Sequence, residues 1–207
     1  MKFKNVIFGA LAFIFMVPTP AAKSLLPLLR ISVAFVGNAG VGKTTFVERL
    51  MGLPEVRMSL APEDYLLPPV SSYLLKDDNL GLELLFRDTP GEEKYRKRLP
   101  VYTDCSEIFV IFFSVDDIGS FEAIEDWIKL SRVRNREIKR VFNHGLIGLI
   151  LVANKIDLDW VISREDIVRK ADELKIPVYF CSAKTGIGVD VLRQYMFRLA
   201  KKPKLFD

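Results

Sequence analysis

Gly37-Asn38-Ala39-Gly40-Val41-Gly42-Lys43-Thr44 has the form GxxxxGK[ST]. Glycines at this spacing let a backbone curl so that successive N–H groups point inward at phosphate oxygens. A helix starting at Lys43 would add its N-terminal dipole to the same anion. In such a loop the lysine ammonium reaches the β- and γ-phosphates, and the hydroxyl of Thr44 ligands Mg²⁺. Downstream, Asp88-Thr89-Pro90-Gly91 closes the apolar run Leu82-Glu83-Leu84-Leu85-Phe86. An aspartate at the end of a strand beside a phosphate loop is placed to hold Mg²⁺ through water, and Gly91 leaves its N–H open to a γ-phosphate.

Asn154-Lys155-Ile156-Asp157 follows a second apolar run, Leu149-Ile150-Leu151-Val152-Ala153. Guanine presents N1–H and N2–H₂ side by side, and one carboxylate, Asp157, accepts both. Adenine has an acceptor at N1 and no amino group at C2, so its binding would leave that carboxylate unmatched, at a cost of several kcal/mol. Cys181-Ser182-Ala183-Lys184 closes a further apolar run and is suited to bring the Ala183 N–H near guanine O6.

The elements that must hold these stretches follow from the periodicity. Apolar runs at Ile31–Val36, Val70–Leu75, Leu82–Arg87, Ile108–Ser114, Leu146–Ala153 and Val178–Cys181 read as strands. Helical patterns span Lys43–Met51, Glu92–Tyr102, Ser120–Val133, Arg164–Leu174 and Val189–Ala200. Strand and helix alternate, as in an α/β domain with a mainly parallel sheet. The one antiparallel step is a hairpin turning through Lys76-Asp77-Asp78-Asn79-Leu80-Gly81, and Ser163 with Asp166 reads as a helix cap. Gly52 to Ser72, with four prolines, has little pattern, and loops of this length are usually functional.

The four motifs, in this order, resemble the Ras superfamily of small GTPases over about Ile31 to Ala200. The resemblance implies a P-loop NTPase fold, a mostly parallel six-stranded sheet with helices on both faces. It implies GTP and GDP as ligands with Mg²⁺, and effector, exchange-factor and GTPase-activating proteins as partners. Carried over residue by residue, nucleotide binding falls to Gly37, Ala39, Gly40, Val41, Gly42, Lys43, Thr44, Thr45, Asn154, Lys155, Asp157, Ser182, Ala183 and Lys184. Mg²⁺ falls to Thr44 and Asp88, and catalysis to Lys43, Gly91 and Glu92. Glu93-Lys94-Tyr95-Arg96, Tyr102, the strand Ile108–Ser114 and Ser120 through Ile128 are most similar to the Rab branch, which implies membrane traffic.

Three departures from that pattern stand out. Glu92 occupies the place of a glutamine that orients the attacking water. Where the first switch carries a Mg²⁺-binding threonine, this chain reads Leu67-Pro68-Pro69-Val70-Ser71-Ser72; proline takes the place, and a slipped register would offer Ser71 or Ser72. The end, Lys201-Lys202-Pro203-Lys204-Leu205-Phe206-Asp207, has no cysteine for prenylation. Two functional readings remain: a slow GTPase switch, or a GTP-binding interaction module with little hydrolysis.

Composition bounds the rest. The chain has 207 residues, half of them hydrophobic, enough for one core, and a net charge of +4 that argues for no particular partner. Cys105 and Cys181 read as reduced core thiols, and the lone His144 has no visible catalytic partner. Arg132, Arg134, Arg136, Lys139 and Arg140 form a basic stretch without interleaved aromatics, which speaks against nucleic acid and for a solvated helix end or a contact with acidic lipid or protein. Residues 1–30 form a separate hydrophobic segment ahead of a GTPase domain at 31–207. Lys2 and Lys4 precede an unbroken apolar run from Val6 to Val17, shorter than the ~20 residues of a membrane span. A cleaved secretory signal, an uncleaved membrane anchor and an arm folded on the domain all fit. The first makes a secreted form; the nucleotide chemistry favours the cytoplasmic face of a membrane.

Overall fold

A computed structural model describes residues 29–52, 70–96, 103, 106–130 and 146–201. Six strands form one sheet: β1 (Leu29–Val36), β2 (Ser71–Asp77), β3 (Leu82–Asp88), β4 (Ile108–Ser114), β5 (Gly148–Asn154) and β6 (Val178–Phe180). Their order is β2-β3-β1-β4-β5-β6. All neighbours are parallel except β2 and β3, which form the expected hairpin. Its turn closes because Asp77 Oδ1 accepts from the Asn79 and Leu80 N–H groups.

The strands end close to where their apolar runs end, with two instructive shifts. β1 begins at Leu29, two residues before its apolar run, because Leu29 and Arg30 pair with Leu82 and Glu83, and Arg30 forms an ion pair with Glu83. β5 begins at Gly148, two residues later than Leu146 suggests; the N–H groups of Ile147 and Gly148 instead turn to the Glu107 carbonyl.

Helices cover both faces. On one side α1 (Lys43–Met51) and the last helix, α6 (Val189–Ala200), enclose a core that includes Phe35, Phe46, Phe86, Phe112 and Leu192. On the other, α3 (Ile118–Glu122), α4 (124–130) and α5 (Arg164–Leu174) pack Ile124, Trp127 and Ile167 against Ala34, Ile111 and Phe113. Of the helix expected over Glu92–Tyr102, α2 (Glu93–Arg96) follows β3, and residues 97–102 lie outside the described residues. The patterned helix at 120–133 starts earlier than its apolar spacing suggests, since Asp117 caps Ser120 N–H, and it breaks at Ala123. The Ser163 cap forms as expected, accepting from Asp166 N–H at 3.0 Å.

This architecture puts the motif-bearing turns together. In parallel strands carrying helices, the carboxyl ends share one edge, and ligands bind there. Phe35, in β1 just before the glycine-rich loop, stacks on Phe86 with ring centroids 5.3 Å apart and meets Phe46 and Phe112 edge-on. These rings give the loop a rigid floor. Among the described residues no helix is long and apolar enough to cross a membrane. The apolar run Val6–Val17, most of the proline-rich stretch, Tyr102, Cys105, the basic stretch with His144, and the end from Lys202 all lie outside the described residues.

Candidate functional site

The glycine-rich loop leaves β1 and enters α1 through Gly42, which sits at the N-cap with φ of 91°. A Cβ there would lie 2.3 Å from Asn154 Nδ2, so only glycine allows both this left-handed turn and the close approach. No side chain caps α1, and its first turn holds no acidic residue. The first N–H groups of the helix are therefore left to an anion. Lys43 curls back over the loop, donating to the carbonyls of Gly37 at 2.9 Å and Asn38 at 2.8 Å. Its side chain is buried, and burial lowers its pKa to about 8 against the pull of Asp88 and Glu92. An ammonium held that way, in a cradle of N–H donors, suits a polyphosphate.

Asp88 ends β3 beside the loop. Its Oδ2 accepts the Thr44 hydroxyl at 2.6 Å, while Oδ1 is buried with no hydrogen-bond partner. Burial raises its pKa, opposed by the Thr44 bond and the Lys43 charge. A buried carboxylate oxygen without a partner is costly unless a cation completes it. Two hard oxygen donors fit Mg²⁺, which commonly takes one or two protein ligands and fills its octahedron with water and phosphate. Among the described residues no cluster of three or more acidic, histidine or cysteine side chains offers another metal site.

Antiparallel register sets the two serines on opposite faces. Ser71 pairs with Asp88, whereas Ser72 pairs with Arg87 and so faces the other way. Ser71 hydrogen-bonds the Tyr73 side chain, whose own pKa is raised first by burial and then by the Asp88 charge. Ser71 thus stands on the face of Asp88, and Pro68 lies outside the described residues. Thr89 ties the turn after β3 to the end of β1, its hydroxyl donating to the Phe35 carbonyl at 2.6 Å. Glu92 is exposed, yet its charge acts on Lys43.

The base-binding motifs meet the same loop. Asn154, 1% exposed, donates through Nδ2 to the Val41 carbonyl at 2.8 Å. Its Oδ1 accepts from the Ala183 N–H at 3.0 Å and the Cys181 thiol at 3.4 Å. The Ala183 N–H, expected at a guanine oxygen, is thus spent on Asn154 here. Lys155 takes a left-handed φ of 62°, and its ammonium lies 3.6 Å from Asp116, whose carboxylate also accepts from Ser114 Oγ. Asp157 is exposed at the turn after β5. Ser182 is fully buried and caps its own loop by accepting from Thr185 N–H. Ala39, Gly40, Thr45 and Lys184 are exposed, and Val41 is buried. Burial pushes the Cys181 thiol up to about 12, so it is an inert core group.

One contributor escaped the sequence reading. Arg49, on α1, donates to the carbonyls of Ala183 and Lys184 and so braces the base loop from the phosphate-binding helix. Its partners lie more than a hundred residues away in sequence, and no local spacing marks such a contact.

An anion-ready loop after the first strand, a cation-ready aspartate on its neighbour and base loops after β5 and β6 define a P-loop nucleotide-binding α/β protein. Within that class the chain belongs to the Ras family, whose model matches residues 32–202. It shares 30% identity over 177 residues with the Ras-related protein Rab-21 of Geodia cydonium, covering 83% of this chain and 71% of that one. Human Ras-related protein Rab-26 is 29% identical over 164 residues, 77% of this chain and 59% of its own. The Intraflagellar transport protein 27 homolog of Trypanosoma brucei is 28% identical over 185 residues, 84% and 94% of the two chains. The protein is accordingly a Rab-like member of the small GTPases.

The Lys43 pKa carries a testable consequence. A lysine that ionises near 8 when folded and near 10.5 when unfolded binds fewer protons in the folded state between those values. Stability of the nucleotide-free protein therefore rises with pH across that window. Urea unfolding from pH 7.5 to 10 is expected to show wild type gaining stability relative to Lys43→Met. Bound nucleotide, by holding Lys43 protonated, should abolish the gain.

Proposed function

We propose that this protein is a GTP/GDP switch that binds nucleotide with Mg²⁺, hydrolyses GTP slowly and works in membrane traffic. The observation that carries this reading is Asn154, which joins the phosphate loop to the base loop in one hydrogen-bonded unit. In that frame Gly37, Gly40, Val41, Gly42 and Thr45 surround the polyphosphate, and Lys43 neutralises its charge. Thr44 and Asp88 hold the Mg²⁺, which supplies charge neutralisation across the β- and γ-phosphates. Lys155, Asp157, Ser182, Ala183 and Lys184 enclose the base. Gly91 offers its N–H to the γ-phosphate, and Glu92 stands beside the attacking water. The similarity to proteins named Rab supports membrane traffic as the setting, on the cytoplasmic face, with effectors and regulators as partners.

Base choice is tested by calorimetry on the purified domain with Mg²⁺. GTP and GDP are expected to bind at least 10⁴-fold more tightly than ATP, the discrimination typical of a site built to match polar groups. Asp157→Asn should weaken guanine binding and favour xanthine, whose C2 oxygen suits an amide donor. Equal affinity for ATP and GTP would overturn the assignment.

Glu92 favours slow hydrolysis. The transition state spreads negative charge over the γ-phosphate oxygens, and catalysis rests on positioning and positive or donor groups. A glutamine amide accepts from water and donates toward that charge; an ionised glutamate accepts only, and adds a second negative charge. This same exposed carboxylate supports the alternative of an interaction module that hydrolyses little. Single-turnover hydrolysis separates the two: a slow rate that Glu92→Gln raises is the expected outcome, and no turnover in either protein establishes the alternative.

The N-terminal segment is the proposed membrane link, because the run Val6–Val17 is apolar. Each buried CH₂ contributes ~0.8 kcal/mol in lipid, so the side chains of the whole run contribute far more than a basic patch supplies. Removing Met1–Ala22 should leave the protein in the supernatant after sedimentation with vesicles at low and high salt. A truncated form that still pellets would show that another segment anchors it.

A further inference from the structure

Three elements meet at a side chain that the nucleotide-binding reading leaves unused. Asn38 lies in the phosphate loop, and its Oδ1 accepts two hydrogen bonds. One comes from Trp127 Nε1, on α4, at 3.0 Å; the other comes from Arg96 Nη2, on α2, at 3.4 Å. The Arg96 guanidinium also lies over the Trp127 ring, 4.6 Å from its centroid, and its Nη1 approaches Asp126 at 4.0 Å. Trp127 is 1% exposed and locked in the core with Ile124 and Ile128. Asn38 is therefore oriented by a group that does not move, and Arg96 is the partner that can leave.

Gly91 makes the consequence local to the site. A Cβ on Gly91 would fall 2.3 Å from Ala39 N and 2.4 Å from Asn38 O, so the turn after β3 is pressed against the phosphate loop. Arg96 follows Gly91 by little more than one helical turn, and α2 holds the spacing through the bond from Tyr95 N–H to the Glu92 carbonyl. Fixing Arg96 on Asn38 and Trp127 fixes Gly91 and Glu92 over the loop. The grip is exchangeable: the Asn38 bond is long, Asp126 is mostly exposed, and Arg96 Nε is buried without a partner. Such a contact set is strong enough to bias a segment and weak enough to release it.

We propose that Asn38, Arg96 and Trp127 form a latch that holds the segment from Gly91 to Arg96 over the phosphate loop, with Arg96 as the positioning residue for Gly91 and Glu92. The latch rests on the guanine-nucleotide reading above, since its task is to present Gly91 to a third phosphate. It therefore favours a triphosphate over a diphosphate, which has no γ-phosphate for Gly91 to meet. A ligand shifts such an equilibrium only by its differential contacts with the two arrangements.

The test uses the full chain with Trp160→Phe as reference, leaving Trp127 as the one reporting indole. Arg96→Ala should shift Trp127 emission to the red, because the ring loses its guanidinium cover to water. In competition on the same samples, the ratio of affinities for a non-hydrolysable GTP analogue and GDP should fall by roughly 5-fold or more, the usual scale of coupling between sites. Arg96→Lys, which keeps a cation over the ring but loses the fork that also reaches Asn38, should fall between the two. Thermal unfolding on the same samples separates this from general loosening. An unchanged ratio with unchanged emission, or a loss shared equally by the analogue and GDP, overturns the latch while leaving the proposed function standing. A reference protein that binds no GDP overturns that function, and the latch with it.

Discussion

One buried amide organises the site. Asn154 gives its Nδ2 to the Val41 carbonyl and takes the Ala183 N–H and the Cys181 thiol on Oδ1. Through these bonds the end of β5 joins a loop that began more than a hundred residues earlier to one that follows β6. Asparagine suits the position because it carries a donor and an acceptor at fixed separation without a charge to bury. An aspartate would lose the bond to Val41 and place a charge where the fraction exposed is 1%. Gly42 is the reciprocal constraint, since any side chain there would collide with that amide.

The aromatic floor gives this junction something to lean on. Phe35, Phe46, Phe86 and Phe112 come from β1, α1, β3 and β4, and each pair in contact lies 5.2 to 5.7 Å apart. Every strand that carries a piece of the phosphate site is therefore packed against the same ring cluster. Close packing of this kind transmits position, so Asp88, Gly37 and Lys43 are held relative to one another by contacts beneath the surface.

Electrostatics run the other way and leave the site poised. Lys43 and Asp88 are both buried at some cost to their charged forms, as the lowered and raised pKa values record. Their mutual attraction offsets only part of that. In the proposed function, a polyphosphate with a divalent cation would supply charges of both signs to this pair. The Asn38–Arg96–Trp127 cluster sits at the rim of this region, where a segment can be held without being buried.

Much of this was legible in the sequence. The glycine spacing, the carboxylate after an apolar run, the Asn154–Asp157 pair and the order of strands and helices are local patterns, and local patterns follow from backbone sterics and periodicity. Helix bounds at Lys43–Met51, Arg164–Leu174 and Val189–Ala200 follow from the same source. Tertiary structure decided what depends on distant partners. It extended β1 to Leu29 by pairing with Leu82, set Ser71 rather than Ser72 on the face of Asp88 through the β2–β3 register, and spent the Ala183 N–H on Asn154. It also recruited Arg49, which no motif marks, and set Arg96 and Trp127, from two separate Rab-like stretches, against Asn38. Types and spacing along a chain specify which chemistry is available; which donor meets which acceptor is set by packing, because those partners are neighbours only after the sheet has formed.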